Sequence, residues 1–96
     1  SSAASDVYKR QTYDYLQTSG YFRVSKGQTI AISGKITPVG KIIRVGIIEP
    51  NGARRCVYAT GSFAQNFPVN HTGDHKVYAI NDNSEVVNLT GLYGTY

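Results

Sequence analysis

Residues 41–59 read KIIRVGIIEPNGARRCVYA, two apolar runs joined by a short polar segment. In the first run Ile43, Val45 and Ile47 recur at every second position, and this period is typical of a β-strand with one buried face. Residues 49–52 read EPNG, in which proline presets φ and the Asn-Gly pair favours a tight hairpin turn. The stretch therefore predicts two antiparallel strands joined by a turn.

The same alternation continues on both sides of this hairpin, interrupted at short intervals by Gly, Pro, Asn and Asp. The composition, with eight Tyr, ten Gly and no Met or Trp, also favours strands over helices. We expect an all-β fold, an antiparallel β-sandwich of the jelly-roll or Ig-like kind, with seven to eight short strands. The expected strands are residues 21–24, 29–36, 41–48, 54–59, 62–69, 75–81 and 85–93, with a further leading strand at 12–16.

The alternation also assigns residues to the two faces of each strand. Ile42 and Ile48 lie on the opposite face from the apolar series of their strand, so that strand is covered on both sides or its outer face meets a partner. Pro68 cannot donate to a ladder, which predicts an edge strand or a bulge there. The expected core consists of Phe22, Val24, Ile30, Ile32, Ile43, Val45, Ile47, Phe63, Phe67 or Val69, Val77, Ala79, Val87 and Leu89.

The first eleven residues, SSAASDVYKRQ, resemble the in-frame translation of a transposase sequencing adaptor. Segments of this kind are set aside before a fold is interpreted. We therefore expect residues 1–11 to be a non-native segment and residues 12–96 to form a single β-sandwich domain, a fragment of a longer protein. Deletion of residues 1–11 is expected to leave the thermal stability nearly unchanged.

The charge of the chain is mildly basic, with ten Lys and Arg against six Asp and Glu. Basic residues of the domain stand singly apart from Arg54 and Arg55, whereas nucleic-acid binding needs them clustered on one stripe. Apolar stretches all fall short of the roughly 18 residues that a membrane helix needs. We expect no nucleic-acid partner and no membrane insertion.

Three stretches resemble small secreted bacterial β-sandwich modules of the pre-peptidase C-terminal type, which accompany extracellular hydrolases. YFRVSKGQTI at 21–30, VGIIEPNG at 45–52 and TGDHKVYAIN at 72–81 look like the opening, central and penultimate strands of that family. The chain departs from the family pattern at His75, where tyrosine is more usual. The resemblance implies an accessory or binding module, secreted or on the bacterial cell surface, without implying a particular ligand.

The residues that could carry chemistry do not form a reactive pattern. His71 and His75 are four apart, a spacing that brings two metal ligands together only on a helix, and Gly73 interrupts the segment. We expect His71 in a solvated turn and His75 on a strand near an end of the core. Cys56 has no disulfide partner in the chain and is expected to be a small buried residue.

The turns hold acidic and amide residues that could be gathered around a calcium ion, but their spacing is not that of a calcium loop. Turn-forming side chains that bond their own backbone are the alternative that we favour. No nucleophile and base stand in a recognisable motif, so we expect no enzyme, no metal and no cofactor. The turn residues concerned are Asp74, Asn81, Asp82, Asn83 and Glu85.

A binding surface is therefore the leading functional hypothesis. Tyr78 is expected to point away from the core together with Lys76 and Ile80, and Arg44 is a further candidate for the same sheet face. This face would contact a glycan or a protein, and Tyr78→Ala is expected to be mild. The alternative is a structural subunit that forms homo-oligomers through an edge strand or through Ile42 and Ile48. Other tyrosines considered for such contacts are Tyr58, Tyr93 and Tyr96.

Overall fold

The computed structural model describes residues 3–10 and 15–96 and, within them, consists of β-strands joined by turns. No helix in the described part is long and apolar enough to cross a membrane. The strands are β1 Ala3–Arg10, β2 Tyr15–Thr18, β3 Phe22–Val24, β4 Thr29–Thr37, β5 Ile42–Ile48, β6 Arg54–Thr60, β7 Ser62–Pro68, β8 Gly73–Asn81 and β9 Val87–Thr95.

The strands form two antiparallel sheets that pack face to face. The first sheet has the order β1-β9-β4-β7, and the second has the order β2-β8-β5-β6, with β3 also paired to β8. β2 and β3 pair with opposite ends of β8 and so share one edge position. Apart from that pair and the β5–β6 hairpin, each strand is followed by one in the other sheet. This order is that of a jelly roll, and the expected antiparallel β-sandwich is confirmed.

The core lies between the sheets and is built from the alternate apolar residues. One cluster centres on Ile30, Ile47 and Val77, and a second on Ile36 and Val45. The expected core residues lie in or against these clusters, although Phe22, Phe63 and Ala79 are only partly buried. The two-residue period therefore assigned the inner face correctly in strands β3, β4, β5, β7, β8 and β9.

The turn after β5 has the structure expected from its sequence. The N–H of Gly52 donates to the carbonyl of Glu49 at 2.8 Å, and the Asn51 side chain accepts from the N–H of Ala53 at 3.0 Å. Gly52 has φ +87°, a region that glycine enters without a steric penalty. This turn fixes the register in which Ile48 faces Arg54.

The chain passes from the second sheet to the first through one residue, Gly61, which has φ +59°. β6 and β7 thereby form the edges of the two sheets on the same side of the sandwich. The edge position that Pro68 predicts for β7 is confirmed, since β7 pairs only with β4 among the described strands.

Residues 1–11, which the sequence places outside the domain, include a strand of the first sheet, so their deletion is now expected to lower the thermal stability and not to leave it unchanged. Ala3–Arg10 pair antiparallel with Arg10 opposite Val87 and Ala3 opposite Gly94. The outer edge of β9 presents a row of backbone N–H and C=O groups, which can pair with an extended segment largely irrespective of its side chains. The leading strand expected at 12–16 is β2, which begins at Tyr15; residues 12–14 lie outside the described part.

Candidate functional site: the outer face of the second sheet

The four residues singled out from the sequence lie on one surface, the outer face of the second sheet. Strand register arranges the residues of this face in three rows across β8, β5 and β6. Outward residues come from alternate positions of each strand, so every row contributes one residue per strand. The rows are Lys76, Ile48 and Arg54; then Tyr78, Gly46 and Cys56; then Ile80, Arg44 and Tyr58.

Two of the four candidates are buried although they point away from the core. Tyr78 is 5% exposed and Ile80 is also buried, whereas Lys76 and Arg44 are half-buried. Gly46, directly beside Tyr78, has no side chain to occupy the space above the middle of the sheet. The Arg54 guanidinium lies over the Tyr78 ring, 5.6 Å from its centroid. Tyr78 and Ile80 therefore form the floor of this face and offer little surface to a partner.

Burial and neighbouring groups change the acidity of Tyr78. Desolvation is the main cause that raises the pKa of Tyr78 to about 12, and a hydrogen bond with the Cys56 side chain raises it further. The positive charges of Arg54 and Arg44 act in the opposite direction, because they favour the phenolate. The neutral phenol is thus the form that this site holds.

The raised pKa of Tyr78 predicts a loss of stability at alkaline pH. In the unfolded chain tyrosine ionises near pH 10, so between about pH 10 and 12 the folded protein binds more protons and its free energy of unfolding falls. The stabilisation that the protonated Tyr78 gives is fully present below about pH 10. Denaturant unfolding at stepped pH should show the fall, and Tyr78→Phe should remove it together with the last step of the tyrosinate absorbance titration. An identical fall in Tyr78→Phe would contradict the assignment.

Arg44 is held by an acidic neighbour from the turn after β8. Its Nε and one terminal nitrogen both donate to the Asp82 carboxylate, each at 2.9 Å. This hydrogen bonding raises the pKa of Arg44 above its ordinary value. The pair fixes the position of the guanidinium and balances its charge. Arg44 therefore lies at the rim of the face as an immobilised group whose charge is compensated.

Two other cations of the face are placed over tyrosine rings. The Lys76 ammonium lies 4.2 Å from the centroid of the Tyr21 ring, and Arg54 lies over Tyr78 as described above. Ion pairs within 4 Å among the described side chains join Lys41 to Glu85, Arg44 to Asp82 and Arg55 to Glu49. Lys76 and Arg54 are therefore steadied by aromatic contacts and not by a described carboxylate.

The exposed part of the face differs from what the sequence suggests. Tyr58 is 72% exposed and is the prominent aromatic of the three rows. Cys56 is exposed, which corrects the expectation that it is buried. In β6 four apolar residues, CVYA at 56–59, are consecutive, so the sequence does not show which alternate positions face the core. The structure turns Val57 and Ala59 inward and Cys56 outward.

The histidines and acidic turn residues do not come together. His71 is exposed and His75 is fully buried, as expected for a turn residue and a residue near the end of the core. Asp74 and Asp82 lie near opposite ends of β8, and Glu85 pairs with Lys41. Among the described residues no group of three or more His, Cys, Asp or Glu could hold a metal ion.

A buried polar cluster at one end of the core was not anticipated from the sequence. Arg55 Nε lies 3.5 Å from Oε2 of the buried Glu49, and its terminal nitrogen donates to the carbonyl of Pro68. His75 Nδ1 lies 2.9 Å from the carbonyl oxygen of Gly73, and no described group is hydrogen-bonded to its Nε2. Arg55 thus links β6 to the end of β7 and compensates a buried carboxylate.

A cavity also lies between the sheets, lined by apolar side chains that include Ile32, Phe63 and Ala79. Its volume of about 40 Å³ has room for a few water molecules and is far below the roughly 300 Å³ of a small-molecule pocket. Comparison with protein-family models and with curated proteins gave no match. The outer face of the second sheet is therefore the candidate functional site.

Proposed function

We propose that this domain is a non-catalytic binding or accessory module that contacts a glycan or a protein through the outer face of the second sheet. In keeping with the family resemblance of its strands, we place it on a secreted or cell-surface bacterial protein. Arg54, Tyr58 and Lys76 supply the contacts, with Arg44 at the rim and Tyr78 and Ile80 as the floor beneath them.

The observation that carries the proposal is the difference between the outward residues of the second sheet and those of β4, β7 and β9 in the first sheet. The second sheet turns Arg23, Arg44, Arg54 and Lys76 outward, together with the exposed ring of Tyr58. One carboxylate, Asp74, lies on the same face opposite Arg23, so the cations remain in excess. The outward residues of β4, β7 and β9 include one charged residue, Lys35, and are otherwise small, polar or aliphatic. Arginine and tyrosine are enriched at binding surfaces because they combine apolar area with directional hydrogen bonding.

An array of immobilised neutral and acidic glycans, probed with the intact chain and with two variants, tests this proposal. We expect Tyr58→Ala to lower the affinity for any bound glycan by about tenfold or more, which is the usual effect of removing an aromatic residue at the centre of a binding surface. Lys35→Ala, on the opposite outer face, should leave binding within about twofold. Silence of the array together with oligomers in solution, or equal losses in both variants, would contradict the proposal.

The second candidate is a structural subunit that associates with copies of itself. It is favoured by Ile42, which is 51% exposed at the end of the second sheet, and by the adjoining edges of β6 and β7, where no further strand of the described residues is paired. Sedimentation velocity at high micromolar concentration should then show a dimer or larger species that Ile42→Ser reduces. A strict monomer would exclude this candidate.

A further inference from the structure

We infer that the ligand of the outer face of the second sheet is an acidic polysaccharide, one that carries carboxylate or sulfate groups along an extended chain. The inference rests on the proposed function and specifies its ligand. Three observations support it: the kind of hydrogen-bonding groups in the three rows, the positions of the cations, and the exposed tyrosines at the ends of the face.

The three rows themselves offer a ligand donors and almost no acceptors, and the nearest carboxylates are Asp74, at the end of the face beside Lys76, and Asp82, which holds Arg44. None of their nine residues is Asp, Glu, Asn or Gln, and the charged members are Arg44, Arg54 and Lys76. Arginine and lysine side chains donate hydrogen bonds but cannot accept them. A neutral sugar presents hydroxyl groups that need both kinds of partner, whereas a carboxylate or sulfate needs donors alone.

The cations are spaced for more than one anionic group. Lys76 and Arg54 stand in the same row on β8 and β6, with Ile48 of β5 between them. Two strand spacings separate their backbones by about 10 Å. Because neither is ion-paired to a described carboxylate, both can bind an incoming anion without breaking an ion pair, while their charged groups keep their places over the tyrosine rings. Such a separation suits successive charged units of a polymer better than one small anion.

The aromatic residues favour a sugar chain over an acidic peptide. Tyr58 and Tyr21 are 72% and 70% exposed, and they flank the cations on β6 and just before β3. A tyrosine ring presents an apolar surface with a polar end, to which a sugar ring can pack. An extended peptide gains most of its affinity from main-chain hydrogen bonds at a sheet edge, and the face of a sheet has no free backbone groups to offer it.

Isothermal titration calorimetry on the full chain tests the inference. The acidic probes are polygalacturonate and dextran sulfate, and uncharged dextran is the neutral probe. Both acidic polymers should bind, dextran should not, and raising the salt from about 50 to about 500 mM should weaken the binding strongly. The double variant Arg54→Ala/Lys76→Ala should lose about tenfold or more in affinity. Lys35→Ala, which also removes positive charge, should change it less than about twofold.

Thermal melting of each variant separates a binding defect from misfolding, and Arg54→Lys, which keeps the charge, should retain part of the affinity. Equal losses in Lys35→Ala and the double variant would mean that net charge alone attracts the polymers, and would overturn the inference. Tyr58-dependent binding of a neutral glycan would overturn the inference and leave the proposed function standing. Absence of binding to all three polymers would overturn the inference, and silence of the wider array with oligomers would overturn the proposed function as well.

Discussion

Gly46→Ala should lower the free energy of unfolding by about 3 kcal/mol or more, an unusually large cost for adding one methyl group. A Cβ at this position would overlap the carbonyl oxygen of Arg55 and lie 2.7 Å from the Cα of Cys56. Both obstacles are backbone atoms of the paired strand β6, which cannot rotate away as a side chain can. The alanine must therefore push β5 and β6 apart in the middle of the second sheet.

Urea unfolding followed by circular dichroism measures this loss, and Gly20→Ala is the matched control. No heavy atom would lie within 4 Å of a Cβ at Gly20, so the control should be neutral or slightly stabilising. The separation of β5 from β6 should also expose Tyr78, whose ring lies beside Gly46. A Gly46→Ala variant as stable as the control would show that the two strands are less closely paired than described.

The inner half of this fold could be predicted from alternation and turn chemistry. Residues such as Ile30, Ile47 and Val77 recur at every second position, and a strand converts that period into a buried face whatever its neighbours are. The Glu49–Gly52 turn was equally predictable, because proline, asparagine and glycine act through their own backbone geometry. Both signals are local and need no knowledge of strand order.

The outer face could not be predicted in the same way, since its burial depends on which strands meet. Tyr78 lies on the face that alternation assigns to it, but its neighbour across the ladder is Gly46, and that pairing follows from the β5–β8 register. Arg54 enters the face through its register with Ile48, again a property of the pairing. Consequently alternation predicts which residues share the outer face of a strand, but not which of them are exposed there.

The buried polar cluster escaped prediction for a related reason. Arg55 occupies an inward position of β6, where a charged residue is normally excluded, and its partner Glu49 belongs to the adjoining turn. From the sequence both look like ordinary solvated residues flanking a hairpin. The hairpin register and the closure of the core beside Pro68 bring them together, and neither can be derived from a local pattern.

Val77→Asp should prevent folding. Val77 is buried among Val24, Ile30, Ile47 and Phe67, and none of these side chains can accept or donate a hydrogen bond to a carboxylate. The substitution removes apolar packing and places a charged group in the low-dielectric core. Together these effects lower the free energy of unfolding by more than about 4 kcal/mol. A domain of this length lies near the lower end of the range of about 5 to 15 kcal/mol of stability that native proteins have, so we expect a largely unfolded chain by circular dichroism and amide exchange.

The neighbouring residue provides the comparison that makes this result informative. The sequence alone suggests that Tyr78→Ala is mild, but the burial of the ring predicts a cost of about 3 to 5 kcal/mol, as for other large aromatic truncations. Tyr78→Phe keeps the ring and should recover most of it. If Val77→Asp is tolerated while Tyr78→Ala unfolds the chain, the inner and outer faces of β8 are reversed. If Tyr78→Ala costs less than about 1 kcal/mol, the ring is solvated and the floor of the binding face must be assigned to other residues.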